Sequence, residues 1–373
     1  MNMTRGFDFM KLNRASLMLL LLALCCARAA AQQLPEPKLT PAPTTGAQTA
    51  AIREGVALHE RGDFDGAIRK YESVLAENPS NVTALYELGY SYYAKKDYRK
   101  ALEIAYRGAG YQSSQLAGFY LLIGNNLDLA GEPDKAIEVY KKAIKVFPND
   151  GLLYYNLALT YRNKGKLDEA KKSLKAGLAA APEHASSHLM LALLFHNTGY
   201  KAPALLAAAR FLVLEHSSQR STAAVKLVRA VLEGGAAPGS KPNEISITLD
   251  ANSKKDEGDF TAVETVLGLS AALALTEEEK GKTEAQKLVS QLETVLAVLA
   301  EQGGKKQSTF VQQFYVPYFV EMKQKGHVEA FVYHALKSSG LPDVREWTEA
   351  NSGRVMQFLI WSKRYQWPAD AKP

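Results

Sequence analysis

Cysteine is nearly absent. The 373 residues contain two, the adjacent Cys25 and Cys26, so nothing downstream of them can form a disulfide, a thiolate nucleophile or a cysteine–zinc site. Charge of one sign is scarce as well: 45 Lys and Arg against 39 Asp and Glu leave a net +6. Half of that excess sits in the first 31 residues, where Arg5, Lys11, Arg14 and Arg28 face Asp8 alone. What remains is too mild to favour a nucleic-acid partner. The apolar run Leu17–Cys26 is shorter than a comfortable membrane span.

Catalytic and metal patterns are broken wherever they begin. His59-Glu60 opens a zinc-protease motif, but Asp63 stands where its second histidine belongs. Gly268-Leu269-Ser270 opens a nucleophile elbow that Ala272 fails to close. Gly304-Lys305 lacks the upstream glycine of a phosphate loop. His327 and His334 lie two turns apart on one helical stretch with no third ligand nearby, and read as ordinary helix residues. Asp250, Asn252, Asp256 and Asp259 have the wrong spacing for calcium, because Lys254 and Lys255 interrupt them. No catalytic residue, metal ligand or cofactor is assigned.

The start of the chain is more explicit. Arg5, Lys11 and Arg14 precede the apolar run, and Ala29-Ala30-Ala31 offers a small-x-small cleavage site before Gln32. Residues 1–31 read as a secretory signal peptide, which places the mature chain in a secreted or periplasmic location. An uncleaved anchor is the competing reading. A lipid-modified cysteine would need a small residue before it, and Leu24 or Cys25 stands there instead. Residues 32–47, with Pro35, Pro37, Pro41 and Pro43, read as an extended tether without fixed structure.

From Gln48 the chain acquires a period. Small residues recur at Gly55, Gly89, Gly124, Ala158 and Ala192, in steps of 34, 35, 34 and 34. Ala67, Ala101, Ala136, Ala170 and Ala204 repeat the same steps, with the same single insertion. Three residues after each small one comes a large one: Leu58, Tyr92, Leu127, Tyr161 and Phe195. Pro79, Pro148 and Pro182 close three of the units. A unit of this length is a pair of antiparallel helices that cannot bury its apolar faces alone and must stack on its neighbours. Gly62, Gly131, Gly165 and Gly199 suit the left-handed turn between paired helices, and Lys96 occupies that place in the second unit. Ala136 and Ala170 are expected at tight helix crossings, with Lys171 facing solvent. The inserted residue, in Gly108–Ser114, predicts a looser or bent joint.

This pattern resembles the tetratricopeptide repeat, over about half of the chain. The resemblance implies an all-α solenoid of five helix-turn-helix units across residues 48–233, capped by a helix at Thr222–Glu233. It also implies that the first helices line a concave groove. Three columns then face that groove: Ile52, Tyr86, Leu121, Tyr155 and Leu189; Val56, Tyr90, Asn125, Leu159 and Leu193; His59, Tyr93, Asp128, Arg162 and His196. Two columns are mainly apolar or aromatic and the third is polar, the mixture expected of a peptide-binding groove. Tyr86, Tyr90, Tyr93, Asn125, Asp128, Tyr155, Arg162 and His196 are the candidate binding residues. Coverage of the groove by the protein's own linker or tail is the other reading of its apolar columns. The lysine-asparagine carboxylate clamp of chaperone-binding arrays is absent, since Ile52 and Val56 stand at its first pair.

Beyond Gly234-Gly235 the composition changes. Residues 234–258 read as an inter-domain linker, with one short strand or extended piece at Ile245–Leu249. Residues 259–367 are helical again without the period, and Ala285, Leu288, Leu292, Val295 and Leu299 form one apolar stripe. All three tryptophans fall after residue 346 and read as core of this small helical domain. Two functions fit. One is an exported scaffold or adaptor that holds a protein or peptide segment in the groove. The other is an envelope-associated enzyme, or a glycan- or lipid-binding protein, whose activity lies in the tail. The absence of catalytic motifs favours the first. The signal-peptide reading makes a direct prediction: amino-terminal sequencing of the exported protein should return Gln32 as its first residue, and an intact Met1 would refute it.

Overall fold

The computed structural model describes residues 34–240, 244–247, 254–276, 279–302, 308–368 and 371. The proposed leader lies outside them, as do Leu249, Asp250, Asn252 and Gly304-Lys305. The protein is all-α, as the period requires. The array helices are α1 (Gly46–Glu60), α2 (Phe64–Glu77), α3 (Val82–Ala94), α4 (Tyr98–Ala109), α5 (Leu116–Leu129), α6 (Pro133–Val146), α7 (Gly151–Asn163), α8 (Leu167–Ala180), α9 (Ala185–Asn197) and α10 (Lys201–Leu214). The helix α11 (Gln219–Glu233) follows, packed on α10, with Ala224, Leu227, Val231 and Leu232 buried. The tail comprises α12 (Thr261–Leu273), α13 (Glu284–Gln302), α14 (Phe310–Gln324), α15 (Val328–Ala335), α16 (Pro342–Ala350) and α17 (Ser352–Arg364).

Each column of the repeat has a packing reason. A Cβ on Gly55 would meet the Tyr71 ring at 2.5 Å, and one on Gly124 would meet the Tyr140 ring just as closely. Glycine is therefore required where the facing helix brings a tyrosine. The alanine column is sealed: Ala67, Ala101, Ala136, Ala170 and Ala204 are all fully buried. Asp63 and Asn81 cap α2 and α3 by accepting hydrogen bonds from the backbones of Gly66, at 2.8 Å, and Ala84, at 2.9 Å. The turns between paired helices are left-handed throughout. Lys96 adopts φ 65°, the one positive-φ residue other than glycine among those described, at the place where the other units have Gly62, Gly131, Gly165 and Gly199.

The chain divides into two compact units, and the division falls within the repeats. One unit is Met1–Lys95 with Glu103–Phe119; the other is Lys96–Leu102 with Tyr120–Pro373. The expected joint at Gly108–Ser114 therefore lies close to the division. In the first unit the proline-rich segment is not a free tether. Leu39 donates to the Gly110 carbonyl and accepts from the Gln112 backbone, forming a parallel bridge with Tyr111. Asn78 donates to the Pro43 carbonyl, and Asn81 to the Thr44 hydroxyl. An extended segment without internal hydrogen bonds has its backbone groups free to pair with loops, which periodicity cannot reveal.

In the second unit the segment expected to be a linker is also packed. Ala236–Pro238 (β1) and Ile245–Ile247 (β2) form an antiparallel hairpin. Further on, Glu257 is buried in an ion pair with Lys175 of α8 at 3.1 Å, and Asp256 accepts from the Tyr200 hydroxyl at 2.5 Å. This coverage overturns one expectation. Lys171 is not solvent-facing but only 4% exposed, its ammonium 3.1 Å from Asp168 and over the ring of Tyr200. Long-range contacts from residues 254–257 shield that face of α8, and nothing local to Lys171 signals them.

The tail docks on the last repeat. Twelve of the fourteen residues of α10 are buried, and α14 and α15 both pack against it. Arg210 of α10, fully buried, donates to Ser362 at 2.8 Å and to the Tyr318 hydroxyl at 3.2 Å, and pairs with Glu183. Its guanidinium lies over the Trp367 ring. The tryptophans are built into this tail: Trp347 stacks on Tyr333, Trp361 on Tyr318, and Trp367 on Phe314. Packing at the crossings sets a stability test. Ala170→Leu should cost about 1–3 kcal/mol by overpacking, while Lys172→Leu, at an exposed position on the same helix, should stay within about 0.5 kcal/mol; urea denaturation of both variants compares them.

Candidate functional site

The first unit brings Tyr86, Tyr90 and Tyr93 together. They occupy i, i+4 and i+7 of α3, so they share one face. Their rings are nearly parallel: Tyr86 and Tyr90 lie 6.3 Å apart at 11°, Tyr90 and Tyr93 6.1 Å apart at 16°. His59 of α1 extends the row, stacked on Tyr90 at 5.4 Å, and Phe64 meets His59 edge-on. At the other end Phe119 sets its edge against Tyr86. Tyr90, at the centre, is 45% exposed, while Tyr86 and Tyr93 are half-buried. The result is a row of ring faces whose flanking members are half-buried and whose middle member faces solvent.

The polar atoms of this row are set by burial. His59 Nδ1 lies 2.8 Å from the Ser91 hydroxyl, which orients the ring. Burial holds the His59 imidazole below its ordinary pKa, with Glu60 working against that shift. Desolvation pushes the Glu87 carboxyl up, and does the same to the Tyr86 phenol, aided by Glu87. Tyr92, in the packing column, points away from this face and donates to Glu72 at 3.1 Å.

The remaining candidate residues belong to the second unit and divide by their engagement. Asn125 Oδ1 accepts from Tyr140 at 2.6 Å, and Asp128 Oδ2 accepts from Thr160 at 3.0 Å. Both acceptors thus orient neighbouring helices. Tyr155 is half-buried, edge-on to His184. Arg162 is exposed and bonds to Asn163; His196 is exposed, beside Leu193 at 43% exposure. The linker and tail cover α8, α10 and the end of the array, not Leu193 or His196.

The residues that sequence reasoning missed are the partners: Ser91, Thr160, Phe64 and Phe119. The signal for two of them is a step of 32 residues. His59 reaches Ser91, and Asp128 reaches Thr160, by that step, and Thr83 is bonded to Gln115 across it as well. The tail holds a recess of about 560 Å³ lined by Lys337, Leu341, Val344, Arg345 and Thr348. Among the described residues no group of three or more His, Cys, Asp or Glu could hold a metal, and no helix is long and apolar enough to cross a membrane.

Tetratricopeptide repeat profiles match residues 52–115 and 129–194. Residues 52–115 and 129–194 thus carry tetratricopeptide repeats. The TPR repeat-containing protein MJ1428 of Methanocaldococcus jannaschii is 26% identical over 151 residues, 40% of this chain and 26% of that protein. The match thus spans about a quarter of the relative's length, 26%. The BBSome complex member BBS4 of Mus musculus is 27% identical over 160 residues, 42% of this chain and 30% of that protein. Among solved structures, TTC0263, a thermophilic TPR protein of Thermus thermophilus, aligns with a TM-score of 0.41 at 25% identity, covering 48% of this chain and 98% of that one.

One pair of tyrosines tests the packing of paired helices. Tyr71 and Tyr140 hold equivalent positions, but the residue equivalent to Asn125 is Val56, so the buried Tyr71 hydroxyl has no acceptor. Tyr140→Phe should destabilise by about 1 kcal/mol, whereas Tyr71→Phe should be neutral or slightly stabilising. Thermal unfolding of the two variants provides the comparison.

Proposed function

We propose that the protein is an exported scaffold or adaptor whose first unit holds a segment of a partner protein against the aromatic face of α3. The observation that carries this reading is the stacked row of His59, Tyr86, Tyr90 and Tyr93, with Tyr90 left 45% exposed at its centre. Large rings held rigid by their neighbours lose little entropy on binding and offer both apolar area and hydroxyls, the chemistry of interface anchors. Export rests on the basic start, the apolar run and the Ala29-x-Ala31 site. The exposed Arg162, Leu193 and His196 give the second unit polar and apolar surface groups of its own.

Folding and binding separate at two neighbouring tyrosines. Tyr90→Ala should weaken partner capture by about 1–3 kcal/mol and leave the unfolding transition nearly unmoved. Tyr92→Ala, which empties a buried position, should lower stability by about 3–5 kcal/mol. Affinity capture by the mature protein from its native compartment, paired with urea denaturation of each variant, measures both. A Tyr90→Ala variant that folds and captures the partner normally would exclude the α3 face as the binding site.

A further inference from the structure

Histidine is placed with unusual consistency where the tail meets the last repeat. His188 of α9 is fully buried. Its Nε2 lies 2.9 Å from the Pro182 carbonyl and its Nδ1 2.7 Å from the Tyr315 hydroxyl of α14. A carbonyl can only accept, so Nε2 carries the hydrogen and Nδ1 accepts from Tyr315. That arrangement exists only for neutral imidazole. A second proton on Nδ1 would leave the Tyr315 hydroxyl hydrogen without its acceptor, inside an apolar site beside Arg210.

The second junction has the same logic. His334 of α15 lies against His216, which follows α10, with ring centroids 4.0 Å apart. One His334 nitrogen is bonded to the Val213 carbonyl, while Nε2 is buried with no partner. The nitrogen that donates to a carbonyl carries the hydrogen, so Nε2 holds a bare lone pair. Protonating it would create a buried cation with a donor that has nothing to meet. The charges acting on these rings are like-signed: Arg210 and His184 on His188, His216 and Lys337 on His334, and Lys337 on His216. The acidic side chain in these networks, Glu183, is engaged by Arg210. Phe358 of α17 and Phe314 of α14 complete the surroundings with apolar rings.

We infer that docking of the tail on the last repeat is proton-gated: the tail stays seated while His188, His216 and His334 are neutral, and is released as they take up protons. Burial, reinforced by Arg210, holds His188 down to about 3, and burial with His216 holds His334 down to about 4. A histidine whose seated pKa is depressed stabilises the seated state fully above its free value, near 6.5, and loses that stabilisation as pH falls toward the seated value. Between those limits each such histidine lowers the seated-to-released ratio by about tenfold per pH unit, and His188 with His334 by about a hundredfold.

The full chain reports on itself, because Trp347, Trp361 and Trp367 all lie in the tail and Trp367 sits under Arg210 of α10. Tryptophan fluorescence during urea unfolding, between about pH 6.5 and 5 where histidine titrates, should show the tail transition moving to lower urea with uptake of about two protons or more. His334→Phe should reduce that uptake by about one and keep the tail seated at the acid end of the range. His59→Gln, in the other compact unit, should leave the profile as it is in the wild type. Should His334→Phe not fold, the wild-type profile decides with the His59→Gln control. A tail transition that is independent of pH, or one whose dependence disappears in His59→Gln, overturns the proposal.

Discussion

The close approach of paired helices is the constraint on which the array depends. Tyr71 and Tyr140 lie flat against Gly55 and Gly124, at distances where no Cβ fits. Every member of the alanine column is fully buried as well. Overpacking at such crossings is felt at once, because interiors are close-packed. Everything on the array surface, including the row of rings on α3, takes its position from these contacts. The helices themselves are ordinary amphipathic elements that would be marginal alone.

That constraint is why so much of the array is visible in sequence. The small, alanine and large columns are direct records of helix crossings, and Lys96 is read at a left-handed turn because its position in the period says so. Tyr86, Tyr90 and Tyr93 follow from helical spacing alone. What is not visible is whatever depends on chain far away. Lys171 looks like a surface lysine until residues 254–257 reach the face of α8. Asn125 and Asp128 look like groove residues, yet each is an acceptor for a hydroxyl on another helix. The proline-rich segment shows no pattern, since its partners are backbone groups of loops.

The tail shows the limit of reasoning by period. Its apolar stripe identified α13, but not the surface on which the tail rests. Arg210 explains the gap: a fully buried cation in an alanine- and leucine-rich helix is costly unless it is paired and hydrogen-bonded. Here Glu183, Tyr318 and Ser362 supply those bonds from three separated parts of the chain. A buried arginine is thus the signature of a partner surface, readable only once the residues that meet it are known. Removing Glu183, the carboxylate among them, would strand the charge rather than merely weaken a contact.

The bridge between Leu39 and Tyr111 has a consequence for how the chain comes into being. Leu39 emerges from the ribosome two helical pairs ahead of the backbone it binds. Until Gly110–Gln112 have been made, that strand has no place to rest, and closing so long a loop costs entropy that the later contacts must offset. The first unit therefore cannot be completed by local assembly in order of synthesis. Its final stitch waits for the far end, so a nascent chain halted in the second repeat would hold Pro43 and Thr44 through Asn78 and Asn81 but leave Leu39 loose.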